Sequence, residues 1–195
     1  MRPTLLDAIQ QRFACRAFEA GPPLSDEVLA VLREAGRLAP SAFGLEPWRF
    51  VTVTDAPRRT AVAHACFDQP AAATAAAFIV IVALVSVLEP DSDYVRARFD
   101  AEARGQELAP IYEAYRAHYH ADSIAAWSQA QCNFAAAHML LQAAHMGLGS
   151  CPIGGFDAAA LAAALNIPPG EMPALVIALG HCASTAPQRL RKPLE

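Results

Sequence analysis

The sequence predicts an α+β fold in which helices flank a small central sheet. Apolar residues recur at helical spacing in several segments of the 195-residue chain, which indicates a large helical content. Two apolar runs, at 78–88 and 174–179, have strand length and are typical of strands buried on both faces. Because no internal repeat or linker divides the chain, we expect one domain over residues 1–195.

Helix ends are marked most clearly in the first part of the chain. Thr4 and Asp7 have the spacing of a capping box at the start of a first helix. A second helix is predicted from Ser25 to the residues before Pro40, because proline cannot continue a helix. Asp55 is expected to begin a third helix.

The ends of the elements are marked less clearly in the rest of the chain. A strand is expected at 50–54, and the polar, aromatic-rich segment 91–122 is expected to be helical and the most mobile part of the molecule. The longest helix is predicted over 123–146, followed by a Gly/Pro-rich loop at 149–155. One apolar stripe is expected along that helix, made of Trp127, Phe134, Leu141 and Leu148.

The composition favours a dimer and argues against a nucleic-acid partner. Hydrophobic residues make up 54% of the chain and charged residues 17%, so part of the apolar surplus is expected at a subunit interface. The net charge is -4, and no run of like charges is longer than Arg191-Lys192. A chain without a basic face is a poor partner for phosphate backbones.

Cysteine usage predicts a reducing compartment, and we expect a cytoplasmic protein. The five cysteines are odd in number and scattered, and they contain no C-x-x-C pair: Cys15, Cys66, Cys132, Cys151 and Cys182. We therefore expect neither a disulfide framework nor a metal site. The N-terminus shows no apolar stretch with a cleavage site, so no secretory signal is expected.

The segment 71–88 contains no charged residue and approaches the length of a membrane-spanning helix. Its first half is rich in alanine, however, and its second half is β-branched. A short helix followed by a buried strand explains both halves, so we expect no membrane contact.

Two segments near the N-terminus are candidates for function. Arg12 and Arg16 lie four residues apart at the end of the first helix, as either a solvated basic edge or an anion site. The loop at 39–50 is either an ordinary connection or a covered one. Phe43 and Leu45 favour the covered alternative, because apolar side chains in a loop require a partner surface.

Two further candidates lie near the C-terminus. The segment 147–157 is rich in glycine, but its glycine spacing and its position after a helix exclude a dinucleotide fingerprint. Such a loop brings backbone amides and the flat Pro152-Ile153 surface against a planar ligand. The basic tail at 189–193 is either a solubilising end or part of an anion site.

Taken together and in this order, these four segments resemble the nitroreductase family of FMN-dependent enzymes. The motifs are R-x-x-x-R-x-F from Arg12, A-P-S followed by P-W-x-F, G-L-G-S-x-P-I-G-G-F-D, and the basic tail, with Asp68-Gln69-Pro70 before the buried strand. The resemblance covers the chain except 91–122, where the family varies. It implies an intertwined homodimer with two FMN sites at the interface.

The resemblance also implies roles for individual residues. The expected FMN-binding positions are Arg12, Phe13, Ala14, Arg16, Pro40, Ser41, Ala42, Asp68, Pro152, Ile153, Gly154, Gly155, Arg189 and Arg191. Arg12 and Arg191, with Arg189, would hold the phosphate, and residues 40–42 would reach FMN from the partner subunit. The two positions expected to act in catalysis are Arg16, near the N1/O2 edge of the ring, and Gly154, whose amide would meet N5.

The chain departs from the family pattern at several of these positions. Gly154 stands where many relatives have an acidic residue, and residues 71–73 are alanines where a second basic residue is common. Asp68 replaces the usual asparagine, which leaves its bond to the flavin open. Residues 43–46 are more apolar than the loop common in the family.

The activity implied is hydride transfer from NADH or NADPH, through FMN, to nitroaromatic, quinone or related acceptors by a ping-pong mechanism. Two alternatives remain at this stage. One keeps the fold but has a dedicated enal, semialdehyde or halophenol substrate, and the other is a flavin-binding or sensing protein with little turnover. Tyr112, Tyr115 and Tyr119 either line the substrate mouth or pack as amphipathic helix residues, and Cys15 is either an activated thiol or a buried one.

Overall fold

The computed structural model describes residues 4–103 and 107–193. Within these ranges the helices are α1 Leu5–Gln11, α2 Asp26–Arg37, α3 Ala56–Ala65, α4 Pro70–Ala73, α5 Asp93–Glu102, α6 Ala109–His118, α7 Ile124–His145 and α8 Ala158–Leu165. The strands are β1 Trp48–Val53, β2 Ala77–Leu84, β3 Gly149–Ile153 and β4 Glu171–Gly180. The ends of the predicted domain and residues 104–106 of the segment 91–122 lie outside the described residues.

The sheet has the strand order β1-β2-β4-β3, and every neighbouring pair is antiparallel. Its two central strands are the two apolar runs of the sequence, and both are buried on each face as predicted. Val176 and Ala178 of β4 face one core, while Ile177 and Leu179 face the other. The first run ends as a strand at Leu84, because the next two amides bond to the Gly170 carbonyl instead of to a neighbouring strand.

Helices cover both faces of this sheet. Buried residues of α3, α4 and α8 pack on one face, and buried residues of α2 and α7 pack on the other. The predicted helix starts at Thr4, Ser25 and Asp55 are confirmed, since each side chain accepts a hydrogen bond from a backbone amide of the first turn. The predicted α+β architecture is therefore confirmed.

The middle of the predicted apolar stripe of α7 does not face the sheet. Phe134, in the middle of the predicted stripe, is 49% exposed, whereas Ala135, Ala136 and Met139 are buried. Small side chains on the inner face let the helix lie close to the strands. Phe134 is thus left on the surface of the protomer, whereas Trp127 and Leu148 are partly buried against two of the apolar clusters.

The segment 149–155, predicted as a loop, begins with a strand, so this prediction was wrong. Residues 149–153 pair with β4 in the register Gly149↔Gly180 to Ile153↔Val176. Pro152 is compatible with this arrangement because β3 is the last named strand of the sheet, where a missing N–H is tolerated. Only Gly154 and Gly155 continue as exposed loop.

The predicted helical character of 91–122 is confirmed over its described residues by α5 and α6. These helices enclose a third cluster, which includes Leu45, Phe99 and Tyr115. Leu45 is fully buried and Phe43 packs on the Tyr115 ring, which confirms that this loop is covered. Tyr115 is itself buried and donates a hydrogen bond to the Leu88 carbonyl, so it is a packing residue.

The structure contains a disulfide between Cys15 and Cys182, which the sequence analysis did not expect. Backbone pairing explains it, because Phe18 forms a β-bridge with Cys182 and brings the two distant segments together. Scattered positions in a sequence carry no information about such pairing. The expected reducing compartment loses its support from cysteine usage, and Cys15 is not an activated thiol.

Among the residues described, no helix is long and apolar enough to cross a membrane, and 71–88 forms the expected helix and buried strand. The same residues contain no group of three or more His, Cys, Asp or Glu side chains arranged to hold a metal ion.

Candidate functional site

The C-terminal tail folds back over the end of α1 and forms a cleft. The cleft has a volume of about 370 Å³ and is lined by residues 10–14 and 186–191. Arg189 closes it by donating hydrogen bonds from Nη2 to the carbonyls of Gln10, at 3.0 Å, and of Arg12. Two segments that are nearly 180 positions apart in the sequence therefore share one site.

The charge in this cleft is positive. Burial, followed by the positive charges of Arg189 and Arg191, lowers the pKa of Arg12. No ion pair within residues 4–103 and 107–193 joins a carboxylate to any of these three arginines. Because converging guanidinium groups repel one another, the cleft is suited to an anion such as a phosphate.

The stretch after Arg12 runs beside β3. Ala14 forms a parallel bridge with Ser150, and the Cys15 amide donates to the Ser150 carbonyl at 3.0 Å. Arg16 is exposed at this edge. Burial raises the pKa of the nearby Cys151 thiol, and the positive charges of Arg16 and Arg12 partly oppose this rise. Phe13, Ala14 and Arg16 thus lie between the anion cleft and the strand.

The far end of β3 is open. Pro152 is half-buried and Ile153 is only 3% exposed, so the side-chain surface of this pair comes from Pro152. A Cβ atom built on Gly154 would meet no atom within 4 Å, which leaves space above the backbone for a flat ligand. The same open end includes Gly155.

A turn after α3 supports this open end. The Gln69 side chain donates from Nε2 to the Gly155 carbonyl at 2.9 Å and to the Cys66 carbonyl at 3.0 Å. Asp68 lies next to this link, but its carboxylate pairs with Nδ1 of His64 at 3.2 Å on the surface. The structure thus brings Asp68 to the vicinity of the open end with its carboxylate held by another side chain.

Pro40, Ser41 and Ala42 lie elsewhere in the protomer. The Ala42 amide donates to Oε1 of Gln131 on α7 at 2.9 Å, and the Ser41 hydroxyl accepts from the Glu46 amide at 2.8 Å. In the part of the chain that is described, no hydrogen bond or ion pair connects these three residues with the arginine cleft. Within one protomer, the predicted site residues therefore form two groups.

Sequence reasoning missed the side chains that hold these segments in place. Gln69 was visible beside Asp68, and Gln131 was visible as a polar residue within an apolar helix. Arg98, which bonds to the loop after Ala42, lies in the poorly patterned segment and gave no signal. Each acts through a contact that is distant in sequence.

An apolar groove on the opposite side of α1 is a second candidate surface. It has a volume of about 490 Å³ and is lined by α1, α2 and α7. Three of the large apolar side chains on these helices are well exposed: Leu5 at 67%, Leu38 at 61% and Phe134 at 49%. Exposed apolar surface of this kind marks an interaction site.

The chain is similar in sequence to known proteins over nearly its whole length. A sequence model described as the nitroreductase family matches residues 9–181. The oxygen-insensitive NADPH nitroreductase of Helicobacter acinonychis is 30% identical over 190 residues, covering 95% of this chain and 90% of that protein. A Staphylococcus saprophyticus protein with the provisional name NAD(P)H nitroreductase is 32% identical over 167 residues, covering 80% of this chain and 76% of that protein.

The fold is also similar to that of solved structures. A protein from Exiguobacterium sibiricum 255-15, solved in complex with FMN, superposes with a TM-score of 0.84. The two sequences are 20% identical, and the superposition covers 98% of this chain and 94% of the other. At this identity the comparison establishes the fold.

Proposed function

Because the chain belongs to the nitroreductase family, we propose that it is an FMN-dependent oxidoreductase that uses NADH or NADPH. Its acceptors are nitroaromatic, quinone or related compounds. The relatives named as NADPH and NAD(P)H nitroreductases support the electron donor, and the FMN complex of the structural neighbour supports the cofactor. The FMN-binding domain extends over residues 1–195.

The observation that carries this proposal is the positive cleft at the end of α1. Arg12, Arg189 and Arg191 would hold the FMN phosphate there, since an anion would balance three positive charges that have no carboxylate partner in the described residues. Phe13 and Ala14 line the same cleft. The open space above Gly154 fits a flat ring.

The chemistry that FMN supplies when bound is the transfer of two electrons from NAD(P)H to the acceptor. The chain orients the ring and adjusts its electrostatics. Pro152, backed by the buried Ile153, would support one face of the ring, and the backbone of Gly154 and Gly155 would lie at its edge. The guanidinium of Arg16 places a fixed positive charge that stabilises negative charge on the ring. Gln69 holds this end of the site together.

The ion pair between Asp68 and His64 affects whether Asp68 can bond to the flavin. A carboxylate held by His64 on the surface is less available to the ring than an asparagine amide would be. The nucleotide and then the acceptor would bind in turn at the open space above Gly154, which would give ping-pong kinetics.

The active form is a homodimer. The groove formed by α1, α2 and α7 is the subunit interface, together with Phe134 one helical turn before the groove residue His138. Burying exposed Leu5, Leu38 and Phe134 removes a large apolar surface from water. Residues 40–42 then reach the cofactor of the partner subunit. This arrangement explains why residues 40–42 are not connected with the arginine cleft of their own protomer.

The decisive experiment is anaerobic reduction of the purified protein. We expect a yellow protein whose FMN absorbance is bleached by NADH or NADPH and restored by a nitroaromatic or a quinone. Parallel assays with an enal, a semialdehyde and a halophenol test a dedicated substrate. A protein that binds FMN but stays oxidised with both nucleotides would be a flavin-binding protein with little turnover. A protein that binds no FMN would refute the proposal.

A further inference from the structure

The loop that follows Pro40 has an unfavourable backbone conformation. Phe43, Gly44 and Glu46 have positive φ angles of 58°, 62° and 42°. This left-handed region is disfavoured for residues with a Cβ atom, so two of the three positions need contacts from outside the loop to hold them. The residues that supply these contacts therefore control the conformation of the loop.

Arg98 on α5 supplies the strongest of these contacts. Its Nε and Nη2 donate to the Gly44 carbonyl at 3.0 and 2.8 Å, and Nη2 also donates to Oε1 of Glu46 at 2.6 Å. The Arg98 side chain is 25% exposed, so this arrangement is partly shielded from water. A planar guanidinium can bond to a carbonyl and a carboxylate at once, which an ammonium on a flexible stem does less well.

Other residues of the third cluster reinforce the same turn. The Tyr94 hydroxyl of α5 lies 2.8 Å from the Leu45 carbonyl and 2.9 Å from the Glu46 carbonyl. The Phe43 ring meets the Tyr115 ring edge-on, with centroids 5.2 Å apart. The turn is therefore held by α5 and α6 through both polar and aromatic contacts.

The conformation of the turn is passed on to Ser41. The Gly44 amide donates to the Ser41 carbonyl at 3.1 Å, and the Glu46 amide donates to the Ser41 hydroxyl at 2.8 Å. Bonds from both Gly44 and Glu46, the two residues that Arg98 holds, therefore fix the main chain and the side chain of Ser41. A change at Arg98 is expected to alter the segment 40–42.

We propose that Arg98 is a positioning residue that fixes residues 40–46, and thereby controls how firmly FMN is held across the subunit interface. This inference rests on the proposed function, in which residues 40–42 reach the partner's cofactor. Arg98 contacts neither the cofactor nor the substrate. It acts through Gly44 and Glu46.

The test compares three variants with the wild-type holoenzyme. Arg98→Gln removes the charge and the fork, and Arg98→Lys keeps the charge alone. Arg96→Gln is the matched control, because Arg96 lies on the same helix and its one ion pair among the described residues is an exposed 3.6 Å pair with Asp93. The rate of FMN release is measured from the rise in flavin fluorescence after dilution. Hydrogen exchange of the peptide covering 40–46 is measured on the same samples.

We expect Arg98→Gln to release FMN about tenfold faster than wild type and to exchange the 40–46 amides faster. The rate of FMN release from Arg98→Lys should lie between the rates of wild type and Arg98→Gln. Arg96→Gln should release FMN within about twofold of the wild-type rate. If Arg98→Gln does not fold, Glu46→Gln removes the same ion pair and should give the intermediate release rate.

Two outcomes would overturn the inference. Faster exchange at 40–46 with an unchanged rate of FMN release would show that the loop does not hold the cofactor, while the proposed function would stand. Unchanged exchange would show that Arg98 does not fix the loop. A wild-type protein that neither contains FMN nor binds added FMN would instead refute the proposed function itself.

Discussion

Cys15 and Cys182 form a disulfide across 167 positions of sequence, with their Cα atoms 5.8 Å apart. The bond joins the segment that carries Arg12 and Arg16 to the base of the tail that carries Arg189 and Arg191. The bond lies against Gly149, where a Cβ atom would lie 3.2 Å from Sγ of Cys15 and 3.0 Å from Cβ of Cys182. It therefore ties the two halves of the anion cleft to the edge of the sheet.

We expect this disulfide to be detectable by alkylation. The protein unfolded without reductant should take up label at Cys66, Cys132 and Cys151 alone, and the reduced protein at all five cysteines. Mass spectrometry counts the labels. Five labels without prior reduction would show that the bond does not form in solution.

The disulfide should also contribute to stability. The double variant Cys15→Ser/Cys182→Ser should lower the free energy of unfolding by about 2–4 kcal/mol, since the crosslink restricts the unfolded chain. Urea denaturation measures this difference. A reductant should destabilise the wild type by a similar amount and leave the double variant unchanged, which makes the variant its own control.

Arg12→Gln should weaken FMN binding roughly 10- to 100-fold, because a charged hydrogen bond to the phosphate is lost. Riboflavin has no phosphate, so its binding should not change. Arg58→Gln is the control, as Arg58 is exposed and pairs with Asp55 on α3. Titration followed by flavin fluorescence distinguishes these cases. An equal loss for FMN and riboflavin would contradict the assignment of Arg12 to the phosphate.

Phe134→Glu should dissociate the proposed dimer, because it places a charge on the exposed face of α7 that continues the apolar groove, one helical turn before the groove residue His138. Analytical ultracentrifugation measures the mass of the particle in solution and so distinguishes monomer from dimer. Val87→Glu serves as the control, since Val87 is 37% exposed in a turn away from this surface. A Phe134→Glu protein with the mass of the wild type would exclude this face as the interface.

Gly36→Ala should destabilise the protein, although alanine favours a helix over glycine by about 1 kcal/mol. A Cβ atom there would overlap Cε of Met139 and lie 3.0 Å from Cζ of Phe50, so α2 could not approach α7 as closely. We expect a net loss of about 1–2 kcal/mol in the free energy of unfolding. The loss should shrink in a Met139→Ala background, and Gly21→Ala, which meets nothing within 4 Å, should be neutral.

The buried Cys132 thiol predicts a loss of stability at alkaline pH. Burial raises its pKa from 9.0 to about 12, so the folded state keeps a proton that the unfolded state releases. The stability from this group is complete below pH 9 and is lost as the pH rises toward 12. At pH 10 the loss is about 1 kcal/mol. Wild type should therefore lose more stability than Cys132→Ala between pH 7 and pH 10, and equal losses would contradict the shift.

The sequence by itself determined the elements whose causes are local. Thr4, Ser25 and Asp55 start helices because each side chain bonds to an amide of the next turn. The runs at 78–88 and 174–179 contain the central strands β2 and β4, because a strand with helices on both faces buries its alternate residues in two cores and both sets must be apolar. The sequence alone also identified two further motifs, the arginines near both chain ends and the glycine-rich segment.

The tertiary structure decided what depends on contacts between distant segments. The pairing of β3 with β4 turned an expected loop into a strand, and the bridge between Phe18 and Cys182 brought two cysteines together. The role of Arg98 at the Gly44 turn also has no local signature. In each case the partner is set by backbone pairing or packing across the fold, and neither leaves a trace in the spacing of residues along the chain.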